Sequence, residues 1–597
     1  MWRTLYGLPG RARRQVARDL DADPYLPYVL VLAAVLAGFW FWHSIPNFAT
    51  RDARDRLFDA LVVYGTVVED PGLASLRTGI EWGRAPFGAT LYLNALALAP
   101  IAAIASLTGR LDLFSAFASA DPTFGYWAVW HSTPEWVWTG SLALLRAFNV
   151  AFAVGCVYLV YRIGVSLRDR ATGRLAALLT TLTWGLLALA HEAGEDVPTL
   201  FFVLLAVALA LRYVETGDAV PYLVGCGAGG VALAFKFTAA PVVLALGVAY
   251  FLRARETVPR DALVRPGLVI GGIALGATAT ALGLPTLLAA GPEPIVERVV
   301  GGATKRAERT YGPDAPAWWW LLRQYFNGLG LPLFVASAAG VLASAVALVA
   351  RSRNRATSTG ASVLLLTVLG AYLAIFSRWH DLRTHHLLPT FPLLVVLLAA
   401  ALSRLRERSP GLARPLVALL LVTSGSYAVA GDLGYATQPR DQAVAWLDAN
   451  APANATMEVS RRDLQDAAIP HGMEIQHVWG QPSGETVDPC PTYIQVGYRD
   501  LLYLSEGTYF RNGQREAAYL RSLLAGEYGY EIAAEFGQRP PNFVPRRPTP
   551  GSLVDLLEVG LLPRTGQYAD EQEVGPNQYT AILERTGPCD RSRDPPF

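Results

Sequence analysis

Three carboxylates and a histidine interrupt the apolar character of this chain at "HEAGEDVPTLFF". There His191, Glu192, Glu195 and Asp196 separate "RLAALLTTLTWGLLALA" from "VPTLFFVLLAVALAL". Charge at bilayer depth is costly, so such groups stand either at a water interface or at a functional site. A second acidic group, "RDARDRLFD", spaces Asp52, Asp55 and Asp59 toward one face of a helix. Carboxylates so placed can serve as general bases. A third group is cationic: "SRWHDLRTHHLLP" carries Arg378, His380, Asp381, Arg383, His385 and His386. The stretch 291–326 adds Glu297, Arg298, Lys305, Arg306, Arg309 and the "WWW" of 318–320, which suits an aromatic belt. Arginine pairs well with phosphate. Acids that remove a proton and cations that neutralise a departing phosphate are together the parts of a lipid-phosphate-dependent transferase.

The elements that must position these groups are membrane spans. Of 597 residues 52% are hydrophobic and 17% charged, and apolar stretches of about 17–25 residues, the length that crosses a bilayer, recur along the chain. The spacing predicts spans at roughly 27–44, 137–161, 174–190, 197–212, 219–235, 237–252, 267–289, 327–350, 361–377, 387–403 and 414–430. The expected fold class is thus a polytopic α-helical membrane protein of about eleven transmembrane helices. Five arginines precede the first span, and arginine-rich loops at 162–174, 251–260, 351–355 and 404–414 share its side. Basic flanks favour the cytoplasm, so residues 1–26 are expected inside as a retained anchor's leading segment. Parity then puts 45–136 outside as one large first loop. "FGATLYLNALALAPIAAIASL" (87–107) accordingly lies on or dips into the outer surface, Pro100 and its polar flanks making a poor crossing. The unusual polar groups all reach the outer face. Outer basic residues run against the positive-inside tendency, which an anionic ligand arriving from that face would explain.

Residues 431–597 read as a soluble extracytoplasmic α/β domain following the membrane module of 27–430. They hold 14 basic and 23 acidic residues, with a helix at "RDQAVAWLDANAP" and strands at "TMEVS", "YIQVGY", "YEIAAEF" and "YTAILER". The sequon at Asn454 suits that side. Cys490 and Cys589 lie here, where an oxidising compartment allows a disulfide, whereas Cys156 and Cys226 fall in apolar spans. Only two lysines, Lys236 and Lys305, stand against 48 arginines. With the acidic outer region this composition points to a high-salt organism, a halophilic archaeon. No CxxC or His-rich metal spacing occurs. The residues demand no cofactor, and a divalent metal is the one candidate the acids leave open.

A long first outer loop with an early Asp is followed by "H…D-V-P-…-F-F", a "K-F-T-A" turn and "R…H-H-L-L-P-…-P-L-L". This order resembles the GT-C glycosyltransferases, and among them the protein O-mannosyltransferase-like group, over roughly residues 27–430. The resemblance implies transfer of a sugar, mannose above all, from a polyprenyl (dolichyl) phosphate to a protein or glycan acceptor outside the cytoplasm. It implies Asp52 as the base that deprotonates the acceptor hydroxyl for inverting attack, with Asp55 as the alternative. Asp196 corresponds to the second-loop acid, which orients the acceptor or contributes to a metal site. Arg378 and Arg383, with His385 or His386, would neutralise the lipid phosphate, and Lys236, which corresponds to a basic residue near the reaction centre, would join them in binding the donor phosphate. Glu81, Arg84 and Glu195 are the further candidates for orienting an acceptor or metal. The family's Lys-Pro-Pro or His-Pro-Pro step reads "EWGRAPF" here, with Arg84 and Pro86 as partial counterparts.

Plainer roles exist for most of these residues. Asp55 and Asp59 suit a solvated helix face. Asp196, directly before Val-Pro, suits a helix start. Glu192 and Glu195 suit an interface, and Lys236 suits snorkelling. The competing class is a transporter of an anionic or lipid-linked substrate. It predicts charges deep within several spans and repeats between halves, and the sequence gathers its charges at one face instead. The lipid bilayer is the expected partner, and nucleic acid is not.

Overall fold

The computed structural model describes residues 7–82, 88–120, 126–256, 265–308, 315–350, 356–380, 382–460, 464–477, 490–505, 513–546, 549, 551–564, 579–588, 590, 593 and 595. Helices dominate because in hydrocarbon an apolar segment must satisfy its backbone groups internally. Those that bear on the site are α1 (Leu8–Ala22), α2 (Leu26–Ala37), α3 (Arg51–Glu69), α4 (Gly88–Leu107), α5 (Glu135–Leu167), α6 (Trp184–Ala190) and α7 (Asp196–Thr216). They continue with α8 (Ala219–Phe235), α9 (Ala317–Leu329), α10 (Leu331–Ala350), α11 (Thr384–Leu387), α12 (Pro410–Ala436), α13 (Pro439–Asn450) and α14 (Leu553–Leu561).

Each expected span overlaps a described helix, the first only as far as Ala37, but eleven crossings are not all supported by helix length. By length and composition, seven described helices can cross a membrane, or nine if two bent pairs each count as one span. The bent pairs are α1 with α2, at 109°, and Arg170–Thr181 with α6, at 58°. Ala219–Phe235 and Pro266–Leu282 are shorter apolar helices. Among the described residues the protein is thus a multi-pass helical membrane protein.

α4 is long and apolar enough to cross, and it runs unbroken through Pro100, so that proline is no argument against a crossing. Its neighbours are a better one. α3 precedes it and the 3₁₀ helix Leu111–Phe117 follows it. A Cβ on Gly65 of α3 would meet the backbone of Phe114 at 2.6 Å. Phe58, Phe117 and Trp138 then join Met457 and Ile582 of the C-terminal sheet in one buried cluster. The elements on either side of α4 thus pack against each other and against the C-terminal sheet.

The C-terminal sheet has five strands in the order β2-β1-β3-β5-β4, with β1 Thr456–Val459, β2 Glu474–His477, β3 Tyr493–Gly497, β4 Tyr530–Phe536 and β5 Thr580–Arg585. β1 pairs in parallel with β2 and β3, whereas β5 pairs antiparallel with β3 and β4. Four strands coincide with the expected segments. β2, "EIQH", is a short polar edge strand without alternation, so no periodicity announces it. Glu458 lies buried in β1 because Arg593 closes on it with a second contact from Gln476 at 3.1 Å. Cys490 is disulfide-bonded, and its expected partner Cys589 lies outside the described residues.

Candidate active site

The segment leading into α3 is held from two sides. From the C-terminal region, Asp441 of α13 accepts the Ser44 N–H at 2.9 and 3.0 Å, and Gln438 donates to Ser44 Oγ at 2.7 Å. Asn47 donates to Ile469 O at 2.9 Å, and Arg54 Nη1 donates to Gln465 Oε1 at 3.0 Å. From the membrane module, Arg146 Nη1 donates to Phe41 O and His43 O, each at 2.6 Å. Thr50 Oγ1 then accepts Ala53 N–H at 3.2 Å, capping α3 and putting Asp52 in its first turn. An acid there lies with the positive end of the helix dipole.

The loop of residues 191–195 brings the opening motif to the same place. α6 ends at Ala190 and α7 begins at Asp196. Asn149, one turn beyond Arg146 on α5, donates Nδ2 to the carbonyls of Glu192 and Gly194, the latter at 3.3 Å. Glu195 forms a forked ion pair with Arg56 of α3, Nε to Oε2 at 2.8 Å and Nη2 to Oε1 at 3.3 Å. Lys236, at the end of α8, places Nζ 2.5 Å from Asp196 Oδ1 and 3.8 Å from Glu195 Oε1. Asp59 lies 3.5 Å from Arg56 Nη1. All are buried, so each charge depends on its partner.

Electrostatics separates the three acids of the motif. Burial alone would push Glu195 up, but Arg56 and then Lys236 outweigh it and hold the carboxyl at about 2. Burial likewise works against the Arg56 cation, and Glu195 outweighs it, raising Arg56 above its ordinary value. At Glu192 the balance reverses, because the pull of Arg146 is the weaker effect. Burial first, then the carboxylates of Asp52 and Asp196, push it well above the usual range. The same interactions show that Asp52 is near enough to Glu192, Asp196 and Arg56 to act on all three. Among the described residues Asp52 itself takes no side-chain hydrogen bond or ion pair and is only partly buried. Asp55 is different: Arg54 holds it at 2.8 Å and Arg51 at 3.5 Å.

The cationic candidates stand on other elements. Arg378 is exposed just beyond the helix Ala356–Phe376. Arg383 precedes α11, and its backbone N–H donates to His386 Nδ1 at 3.0 Å. The Nδ1 of His386 is thereby an acceptor, which assigns the proton to Nε2, 3.0 Å from His385 Nε2. Thr384 anchors α11 to α9 through Gln324 at 2.8 Å and Asn327 at 3.0 Å. Of the orienting candidates, Glu81 forms an exposed pair with Arg77 at 2.7 Å, away from the buried network, and Arg84 lies outside the described residues. Of the "WWW" run only Trp318 is exposed; Trp319 and Trp320 are buried, Trp319 donating to Ser552 O at the start of α14. Two of the three rings are therefore interior groups rather than free to form an aromatic belt.

Sequence reasoning passed over Arg56, Arg146 and Asn149. Arg56 lies inside "RDARDRLFD", among acids whose spacing is the stronger signal. Glu195, a candidate for orienting an acceptor or metal that also suits an interface, is engaged by Arg56 and Lys236 in the buried network. Among the described residues no group of three His, Cys, Asp or Glu side chains is arranged to hold a metal ion.

Residues 122–281, which contain α5 to α8, match the family described as "Dolichyl-phosphate-mannose-protein mannosyltransferase". No curated protein sequence matches the chain. Among solved structures it is similar to the archaeal oligosaccharyltransferase AglB from Archaeoglobus fulgidus in complex with an inhibitory peptide and a dolichol-phosphate. Identity is 12%, 94% of this chain and 88% of that one are covered, and the TM-score is 0.49. It is also similar to ArnT from Cupriavidus metallidurans bound to undecaprenyl phosphate, at 14% identity over 70% of this chain and 72% of that one, with a TM-score of 0.43. The arabinofuranosyltransferase AftD from Mycobacteria aligns at 14% identity over 94% of this chain and 40% of its own, with a TM-score of 0.43. The family likeness therefore falls on the segments that carry Arg146, Asn149, Glu195, Asp196 and Lys236.

Proposed function

We propose that this protein moves a sugar from a polyprenyl-phosphate carrier to a hydroxyl acceptor on the extracytoplasmic side, with inversion at the anomeric carbon. The observation that carries the reading is the contrast within "RDARD". Asp55 is held by two arginines, whereas Asp52 stands beside the buried charge network with its carboxylate unengaged. A base must have a free lone pair within reach of the proton it removes.

In this reading Asp52 takes the acceptor O–H proton as the acceptor oxygen bonds to the anomeric carbon. The bond from that carbon to the phosphate oxygen breaks, and the electron pair leaves with the polyprenyl phosphate. Arg378 and Arg383, with His385 and His386, receive the phosphate charge. Lys236 is committed to Asp196, so its part is to hold that acid and, with Arg56 and Glu195, the floor of the site. Asp196 orients the acceptor. Mannose as the sugar and dolichyl phosphate as the carrier follow the description of the matched family. That description also favours a transferase over a transporter.

The test is transfer from radiolabelled dolichyl-phosphate-mannose into membranes holding the wild type or the Asp52→Asn, Asp55→Asn and Asp196→Asn variants. Loss in Asp52→Asn alone, or with Asp196→Asn, supports the reading. Full activity in Asp52→Asn with loss in Asp55→Asn would transfer the base to Asp55. Full activity in all three would sink it. Cysteine accessibility at Ala118→Cys tests the sidedness, since labelling from the cytoplasm would put the first loop on the wrong face.

A further inference from the structure

α14 belongs to the C-terminal region by sequence, yet it packs on the membrane module. Trp319 Nε1 donates to Ser552 O at 2.9 Å, and Tyr427 Oη of α12 donates to Val559 O at 2.7 Å. At Gly560 a Cβ would meet Leu331 Cβ at 2.9 Å, so the helix lies tight against the start of α10. Its two acids are neutralised on the polar edge. Asp555 accepts from Arg546 at 2.6 Å and from Thr549 N–H at 2.7 Å, and Glu558 accepts from Arg546 at 3.2 Å and Arg564 at 3.0 Å.

What remains points outward. Leu553, Val554, Leu557, Leu561 and Leu562 are between 46% and 68% exposed. Water-facing surfaces rarely leave so many large apolar groups together. The neighbouring surface says what covers them. Val335 lies one turn beyond Leu331 on α10 and is 56% exposed, and α10 is long and apolar enough to span a membrane. Through the Gly560–Leu331 contact, α14 adjoins the exposed apolar surface of this candidate span.

We infer that α14 is an in-plane membrane helix. Its leucine face is buried at the border of headgroups and acyl chains, and its paired acids and arginines face the polar side. This is the arrangement of an interfacial amphipathic helix. The helix therefore moors the C-terminal sheet to the bilayer as well as to the membrane module. The inference does not rest on the transferase reading.

The full-length protein, reconstituted in lipid nanodiscs, tests it with a fluorophore on Leu557→Cys or, as a second position, Val554→Cys. Cys156 and Cys226 are buried and Cys490 is disulfide-bonded, so the unsubstituted protein sets the labelling background. Ala518→Cys, exposed on the helix Gln514–Leu524 of the sheet domain, is the aqueous reference. Lipids carrying a doxyl group high on the acyl chain should quench the labels at 557 and 554 several-fold more than the label at 518. Aqueous iodide should show the reverse order. Equal iodide quenching at all three positions would overturn the inference in favour of a solvated helix. Shielding of 557 and 554 from both quenchers would overturn it in favour of a protein partner.

Discussion

Lys236 Nζ and Asp196 Oδ1 stand 2.5 Å apart, joining the C-terminal end of one apolar helix to the N-terminal end of the helix before it. Each charge also suits its own helix terminus, cation at the C-terminal end and anion at the N-terminal end. Removing one partner strands the other in a buried site. Lys236→Met should therefore destabilise the protein by about 3–5 kcal/mol, the cost typical of a broken buried pair. Adding Asp196→Leu should recover part of that loss. Thermal unfolding in detergent reads both, and additive losses would deny the coupling.

Asp52 and Asp55 should separate in their effects. Asp52→Asn should lower sugar transfer by roughly 10²- to 10⁴-fold, the usual contribution of a general base, with little change in melting temperature. Asp55→Asn removes the partner of Arg54 and Arg51. It should cost stability first and turnover much less. Parallel melting curves and initial rates distinguish the two patterns.

The Arg56–Glu195 pair predicts a pH dependence. Glu195 is held at about 2 in the folded protein against an ordinary 4.5. A depressed carboxyl pKa contributes stability that is complete above the unfolded value and is lost as pH falls toward the folded one. The wild type should thus lose this contribution between pH 4.5 and about 2. Arg56→Gln should be less stable already at neutral pH and lose less across that window. Equal acid profiles for the two proteins would count against the pair.

Asn149 should behave as a positioning residue, since it touches backbone carbonyls of the acidic loop. Asn149→Leu leaves those carbonyls short of a donor, and the loss of one hydrogen bond of about 1.4 kcal/mol corresponds to roughly tenfold in rate. The fall should appear in kcat with KM for the carrier unchanged, and Asn149→Gln should recover part of it. A change confined to KM would give Asn149 a binding role instead.

Much of this protein was legible as one-dimensional pattern. Apolar runs such as "DVPTLFFVLLAVALALRYVET" become helices wherever they occur, because the length that crosses a bilayer and the need to satisfy backbone groups leave few alternatives. The alternation in "YEIAAEF" marks a strand on similar grounds. Pairing was not legible. Which of Glu192, Glu195 and Asp196 meets Arg56, and which meets Lys236, depends on how α3, the 191–195 loop and the end of α8 converge, and spacing within one segment carries no record of that.

The same division holds for the whole molecule. By itself the sequence determined a multi-pass helical membrane protein with a C-terminal α/β region, and it singled out "HEAGED" and "RDARD" as its unusual polar stretches. Tertiary structure decided that Asp55 is spent on arginines while Asp52 is not, that Glu195 is the acid that meets Arg56, and that α14 leaves the sheet for the membrane module. The physical reason is range. Periodicity and length act within a segment, whereas the state of a buried charge is set by whichever distant residue packs against it.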